Sequence, residues 1–389
     1  EAAAELPAVP LTAGSPVCSG TAESNGYHFP GSLREALELK QAYPAAEFVA
    51  GATETAVLIN KRHHRPARLI SLERIRELRG VSCNGTEWII KAATPLTALE
   101  RTIGAEYPAF DQMLRLFASR QIRHRATLGG NLVTASPIGD SAPLLLALDA
   151  SVRLVSLTGE RKVALAQFFT GYRKTILQPG ELLVSIHVPC GKRGRCEFHK
   201  VSKRREMDIS TVSACIRLET DERGMIIDAR CAFGGVSAFP MRAGETESGL
   251  LGKTLEEAAR SGVADHLVTE FTPMSDLRGS LEYRKLLIRD LLLKVLSNSG
   301  MDSIPAPVSA KPPEASTLRH ESAISHVTGS ARYTQDIAIR RGALHVWPLR
   351  SNVARGRLLE VDVSDALAMP GVVTVLTAKD VPGANNTGP

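Results

Sequence analysis

The chain has 389 residues, 43% hydrophobic and 23% charged, which is the balance of a globular protein with cores for two or three domains. Its formal net charge of +6 and pI near 9.0 come without a helix-turn-helix, zinc finger or aromatic-interleaved RNA motif. The basic clusters at 61–65, 120–125 and 192–205 therefore read as solvated surface, with some attraction for an anionic dinucleotide and none for nucleic acid.

The first 26 residues are small and rich in Pro, Gly, Ser and Ala, without an apolar signal-peptide core, so they predict a linker. Ser32 is positioned to cap a helix over 33–43, followed by a strand at 47–50, a turn at Gly51 and a short helix at 53–60. Strands are expected at 67–72 and 87–94, and helices at 96–103 and 109–122, an alternation that predicts an α/β first lobe. The second lobe is expected to hold a long Gly-rich loop, an apolar helix at 142–148 and strands at 151–157, 161–165 and 181–188. From Glu197 three sheet strands precede two helices, 253–271 and 280–297. The second of these carries Tyr283, Leu286, Leu287, Ile288 and Leu291 on its apolar face. Residues 302–316 lack an apolar period and predict an interdomain linker. No run approaches the roughly 18–20 apolar residues of a membrane span. The six cysteines show no CxxC spacing, which argues against a zinc site or a disulfide framework and for reduced thiols in the cytoplasm.

Two stretches carry the chemistry. In TLGGNLVTASPIGD (127–140), Gly129, Gly130 and Gly139 carry no Cβ, while Asn131, Thr134, Ser136 and Asp140 offer short polar groups to a pyrophosphate or sugar. In EFVAGATETAVLIN (47–60), a strand turns at Gly51 into a helix start at Thr53-Glu54, whose N–H groups attract phosphate. Neither is a GxGxxG after a strand or a GxxxxGK[ST] loop, so a Rossmann dinucleotide unit and a P-loop hydrolase both lose support.

This pair of loops, followed by FFTGYRKTILQPGELLVSI (168–186) and FHKVSKRREMDIS (198–210), resembles the FAD-binding domain of xanthine dehydrogenase and related molybdenum hydroxylases. Residues 326–337 and 342–383 are similar to the opening of the molybdenum-cofactor domain of that family. The implied fold is α+β: a two-lobed FAD-binding domain of the vanillyl-alcohol-oxidase or PCMH type, an α+β flavoprotein subdomain, and part of an α/β molybdenum domain. The implied domains are a linker at 1–26, the FAD domain at 27–192, the subdomain at 193–299, a linker at 300–317, and a truncated molybdenum domain at 318–389.

Carried over residue by residue, the resemblance implies FAD contacts at Phe48, Val49, Ala50, Gly51, Ala52, Thr53 and Glu54 in the first loop. In the second loop it implies contacts at Thr127, Gly130, Asn131, Thr134, Gly139 and Asp140. Phe117 and Ala118 match positions near the isoalloxazine, Leu183 and Lys200 match further pocket positions, and Asp140 matches a sugar-binding position. Ala52 stands where animal members have Asn, and Gly139 where they have Ser, which weakens side-chain contacts at both. Tyr172 and Arg173 match a loop beside the flavin on the side where NAD approaches. The resemblance further implies electrons arriving from two [2Fe–2S] clusters and a molybdopterin centre held outside these residues, then passing as hydride from FAD to NAD during xanthine or hypoxanthine hydroxylation. It implies partner iron–sulfur and molybdenum domains or subunits and a homodimer. The rival readings are an aldehyde oxidase that reduces oxygen, a flavin-free scaffold of the same fold, and a stand-alone oxidase of the vanillyl-alcohol type.

Overall fold

The computed structural model describes residues 26–297 except 101, 105, 192, 193, 205 and 206, and residues 322–383 except 351–356. The chain divides into two units, Glu1–Ala306 and Pro307–Pro389. The expected linkers at 1–26 and 300–317 fall almost wholly outside the described residues.

The first unit opens with β1 (Tyr27–His28), α1 (Leu33–Ala42), β2 (Glu47–Val49), α2 (Thr55–Arg62) and β3 (Leu69–Ser71). The strands form a parallel sheet in the order β1-β3-β2, and α1 and α2 supply crossovers that parallel neighbours require. Ser32 Oγ accepts from the Glu35 amide at 3.2 Å, capping α1, whose Ala36 and Leu37 pack with Ile70, Ile75 and Leu78.

Next come β4 (Val81–Cys83) and β5 (Glu87–Lys91), then α3 (Leu96–Glu100), α4 (Pro108–Leu116), α5 (Arg120–Arg125), α6 (Leu128–Val133) and α7 (Ser141–Ala147). They are followed by β6 (Ser151–Ser156), β7 (Gly159–Ala164), β8 (Phe169–Gly171), β9 (Lys174–Thr175) and β10 (Leu182–Pro189). An antiparallel sheet in the order β4-β5-β10-β6-β7 carries the main core, in which Ile90, Val152 and Ile186 meet Leu96, Phe110 and Leu144 of the helices. The expected α/β lobe is thus smaller than its sequence pattern: the 87–94 strand belongs to this second sheet, because its partner is β10.

A third sheet follows from β11 (Arg195–Val201), β12 (Val212–Thr220), β13 (Ile226–Gly234) and β14 (Met241–Arg242), antiparallel in chain order. Helices α8 (Gly244–Leu250), α9 (Leu255–Arg260), α10 (Val263–Leu267) and α11 (Leu281–Leu296) cover it and share its core.

Four expectations need correction. The 109–122 helix breaks after Leu116: Phe117 is extended, Ala118 has φ +45°, and Ser119 caps a new helix by accepting from the Ile122 amide. The 253–271 helix divides at Gly262, whose φ of +77° ends one helix and opens another. The long loop contains α6, whose first turn is capped by Thr127. Finally, α11 buries Arg284, Ile288, Leu292, Val295 and Leu296, leaving Tyr283 and Leu286 exposed, so its buried stripe is turned from the expected one.

The second unit holds three short helices, α12 (Ala323–Val327), α13 (Thr334–Arg340) and α14 (Ser364–Ala368), and no strand among its described residues. The helices of the expected α/β pattern are present among these described residues and its strands are not. Among its described residues, Val346, Trp347 and Leu349 stay exposed.

Candidate functional site

The site begins where β2 ends. The turn from Ala50 to Glu54 is half-buried, and Ala52 sits at φ +60°, a left-handed conformation that alanine adopts at a cost. Gly51 is required by packing: a Cβ there would lie 1.6 Å from the Arg125 carbonyl oxygen. Among the described residues, no protein acceptor takes the amides of Gly51, Ala52, Thr53 or Glu54. A run of unspent N–H groups ahead of the eight-residue α2 makes an anion-binding concavity.

The second turn is built differently from its sequence expectation. The Gly129 amide donates to the Ala92 carbonyl at 3.1 Å, the Gly130 amide to Thr127 Oγ1 at 3.1 Å, and the Gly139 amide to the Ser136 carbonyl at 3.1 Å. These amides are consumed inside the protein, so the expected amide-lined cradle is confined to the first turn. Gly129 serves close packing instead, since a Cβ would lie 2.6 Å from that of Ala92. Thr134 Oγ1 donates to the Gly130 carbonyl at 3.0 Å, and Asn131 Oδ1 accepts from Ser141 Oγ at 2.5 Å.

The two turns meet. A cavity of about 80 Å³ is lined by Ala50 and Gly51 from the first and Thr127 from the second, with Arg79 and Arg125 adding positive charge and Glu73 a negative one. Arg125 is itself paired with Glu73.

A second cluster lies around Phe117. Arg123 donates to the Phe117 and Ala118 carbonyls at 2.8 and 3.2 Å and pairs with Glu100 at 2.6 Å, holding the strained Phe117-Ala118 turn. Lys200 Nζ donates to the Leu116 carbonyl at 3.1 Å and to Asp140 Oδ2 at 2.7 Å, and Asp140 Oδ1 accepts from Ser210 Oγ. Asp140 and Lys200, 60 positions apart, are thus brought together at the Leu116 carbonyl with side chains 9% and 4% exposed. Leu183 stands apart, its side chain buried in the main core beside a bulge in β10.

Tyr172 and Arg173 form the turn of the β8–β9 hairpin. Tyr172 is 55% exposed, and Arg173, at φ +52°, donates to Glu54 Oε1 at 2.8 Å. That contact ties the hairpin to the first turn. The Glu54 carboxylate holds the Arg173 guanidinium above its ordinary pKa, partly opposed by burial.

Comparison with known proteins gives the arrangement a family. Residues 21–191 match the FAD binding domain in molybdopterin dehydrogenase, 197–299 the CO dehydrogenase flavoprotein C-terminal domain, and 328–389 the aldehyde oxidase and xanthine dehydrogenase a/b hammerhead domain. The chain is 30% identical over 408 residues to xanthine dehydrogenase of Emericella nidulans, covering 94% of this chain and 30% of that protein. It is 31% identical over 416 residues to xanthine dehydrogenase 1 of Arabidopsis thaliana, covering 93% and 30%. The chain belongs to the xanthine dehydrogenase and molybdenum hydroxylase family. It spans about 30% of the length of these curated relatives. Among solved structures, a chain of carbon monoxide dehydrogenase from Hydrogenophaga pseudoflava matches with TM-score 0.65 at 29% identity, over 69% of this chain and 94% of that one. In this molybdenum hydroxylase chain, residues 21–191 and 197–299 are therefore the flavoprotein part, and the mixed α+β fold agrees.

The residues present fit a flavin dinucleotide. The unspent amides of 51–54 suit a diphosphate, and the Gly51 contact leaves room for no side chain where the two turns close. Sequence reasoning passed over Arg123, reading 120–125 as solvated surface, although its side chain is 13% exposed and pinned at both ends. The available signal was Ser119, a helix cap that breaks the run and turns Arg123 back toward it. A larger cavity, about 240 Å³ and lined by Tyr107, Leu148, Arg195 and Arg217, includes none of the expected flavin residues.

Proposed function

We propose that this chain is the flavin-carrying section of a xanthine dehydrogenase-like molybdenum hydroxylase, an oxidoreductase built on the two-lobed vanillyl-alcohol-oxidase or PCMH plan. The activity proposed for the complete enzyme is purine hydroxylation, for which a molybdopterin centre, [2Fe–2S] clusters and FAD would supply the redox chemistry and NAD would be the acceptor. The observation that carries this reading is the meeting of the Gly51 turn with the Thr127 turn around a positively charged cavity. When bound, FAD supplies the exchange between one-electron carriers and a two-electron hydride acceptor.

The chain's own residues bind and orient. Gly51 to Glu54 offer amides to the diphosphate, with Phe48, Val49 and Ala50 leading the strand into that turn. Thr127, Gly130, Asn131, Thr134 and Gly139 shape the opposing wall. Phe117 and Ala118 would offer an aromatic side chain and a fixed turn to the isoalloxazine, with Lys200 and Asp140 holding the adjacent Leu116 carbonyl, and Leu183 would act from the core of β10. Tyr172 and Arg173 stand on the exposed hairpin where NAD would approach. The free thiols of Cys83, Cys190, Cys196, Cys215 and Cys231 fit a reducing cytoplasm, and the complete enzyme pairs as a homodimer.

The test is anaerobic titration of the flavin-loaded chain with NADH. The yellow absorbance is expected to bleach without any purine. A chain that takes up no flavin, or one bleached by dithionite but never by NADH, would remove this reading.

A further inference from the structure

Away from the flavin cluster, Cys83 at the end of β4 and Cys190 just after β10 bring their sulfurs to 3.1 Å although 107 positions separate them. The register explains the meeting. Cys83 pairs with Trp88 of β5 on one side, while on the other Pro189 pairs with Glu87 and the Cys190 amide donates to the Thr86 carbonyl at 2.8 Å. The end of β5 therefore gathers both thiols at the β4–β5 turn. That turn is shaped by Asn84 Oδ1, which accepts from the Thr86 and Glu87 amides at 3.0 and 2.8 Å.

The two sulfurs are not equivalent. Cys83 is exposed, where a soluble disulfide can reach its sulfur, which also accepts from the Gly85 amide at 3.4 Å. Cys190 is half-buried, and its thiol is pushed up to about 12, first by burial and then by Cys83 beside it. Cys83 is thus the attacking sulfur and Cys190 the resolving one. A second close pair, Cys196 and Cys215 at 3.6 Å, is an internal contrast, because Cys215 is fully buried and out of reach of a soluble oxidant.

We propose that Cys83 and Cys190 are a redox modification site, forming a reversible disulfide that clamps the β4–β5 hairpin to the exit of β10. The oxidant class is a small disulfide such as glutathione disulfide. The Cys83 thiolate attacks one of its sulfurs and expels one glutathione thiolate. Cys190 then gives up its proton, its sulfur bonds to that of Cys83, and a second glutathione thiolate leaves and is protonated. Two protein thiols are oxidised and one small disulfide is reduced to two thiols. The clamp acts where β10 leads toward β11, a point already held by Tyr107 Oη donating to the Pro189 carbonyl and by the Gly191 amide donating to Glu106 at 3.2 Å. Closing a long loop restricts the unfolded chain, so the oxidised form gains stability.

The experiment is incubation of the purified chain with glutathione disulfide, followed by alkylation, digestion and mass spectrometry, with urea unfolding in parallel. Loss of two alkylatable thiols is expected, with a peptide joining Cys83 to Cys190 that dithiothreitol releases, and a higher urea midpoint than the reduced chain. In Cys83→Ser, Cys190 is expected to stay alkylatable and the midpoint shift to vanish. Glutathione that persists on Cys83 without the cross-link would overturn the proposal. So would a cross-link formed only in urea, or equal midpoints for the oxidised and reduced chains.

Discussion

Asp140 and Lys200 form an ion pair with almost no exposure to water, which makes the cost of breaking it larger than the worth of the pair itself. Replacing Asp140 by Ala strands an ammonium in the interior, so Asp140→Ala is expected to cost about 3–5 kcal/mol in urea unfolding. Adding Lys200→Met to that variant is expected to restore most of the loss, and flavin retention in the double variant then reports the direct role of the carboxylate. Gly129→Ala places a methyl against Ala92 and is expected to cost about 1–3 kcal/mol by the same measurement. The glycines of LGGNL were legible as positions of close approach. That their amides are already spent was not, because the acceptor on Gly129 is Ala92, which lies in the turn after β5.

At the scale of elements, the segment between β9 and β10 is pinned by Arg161, whose Nε and Nη2 donate to the two Glu181 oxygens at 2.8 Å each, with the Gln178 amide also on Glu181 at 2.8 Å. The Arg161 contact lowers the Glu181 pKa first, burial opposes it, and the Gln178 amide adds to the lowering. A carboxyl lowered on folding contributes stability above its unfolded pKa of about 4.3, and that contribution fades as pH falls through the lower folded value. The melting temperature of the wild type is therefore expected to drop more steeply below about pH 4.3 than that of Glu181→Gln, which starts lower at neutral pH. Strand and helix periods made most elements of this unit readable. The breaks at Ala118 and Gly262 were passed over, because both helical runs continue through them in apolar pattern, and the cap at Ser119 and the glycine at 262 were the signals against continuity.

At the scale of the first unit, one carboxylate ties the turn between α7 and β6 to the third sheet. Asp149, just past α7, accepts from Arg217 at 2.7 Å, Arg230 at 2.9 Å and Arg242 at 3.1 Å, on β12, β13 and β14 respectively. Arg217 is 3% exposed and keeps Asp228 as a second partner, so Asp149→Ala is expected to cost about 3 kcal/mol or less. Because α7 packs on β12 and β13, the same change is expected to broaden the urea transition, the third sheet loosening ahead of the antiparallel sheet that holds β10. Tryptophan fluorescence serves as the readout for the latter, since Trp88 lies in β5.

What the amino-acid sequence determined alone was local: Ser32 as a cap, the strand patterns of β6 and β12, and ordered motifs specific enough to name the family. The tertiary structure decided which groups remain free to bind. Gly51 closes against Arg125, Lys200 turns inward to Asp140, and Arg173 reaches back to Glu54. Hydrogen-bond capacity is a global quantity: a donor is available to a ligand only when no distant part of the chain has taken it, and linear spacing carries no record of that competition.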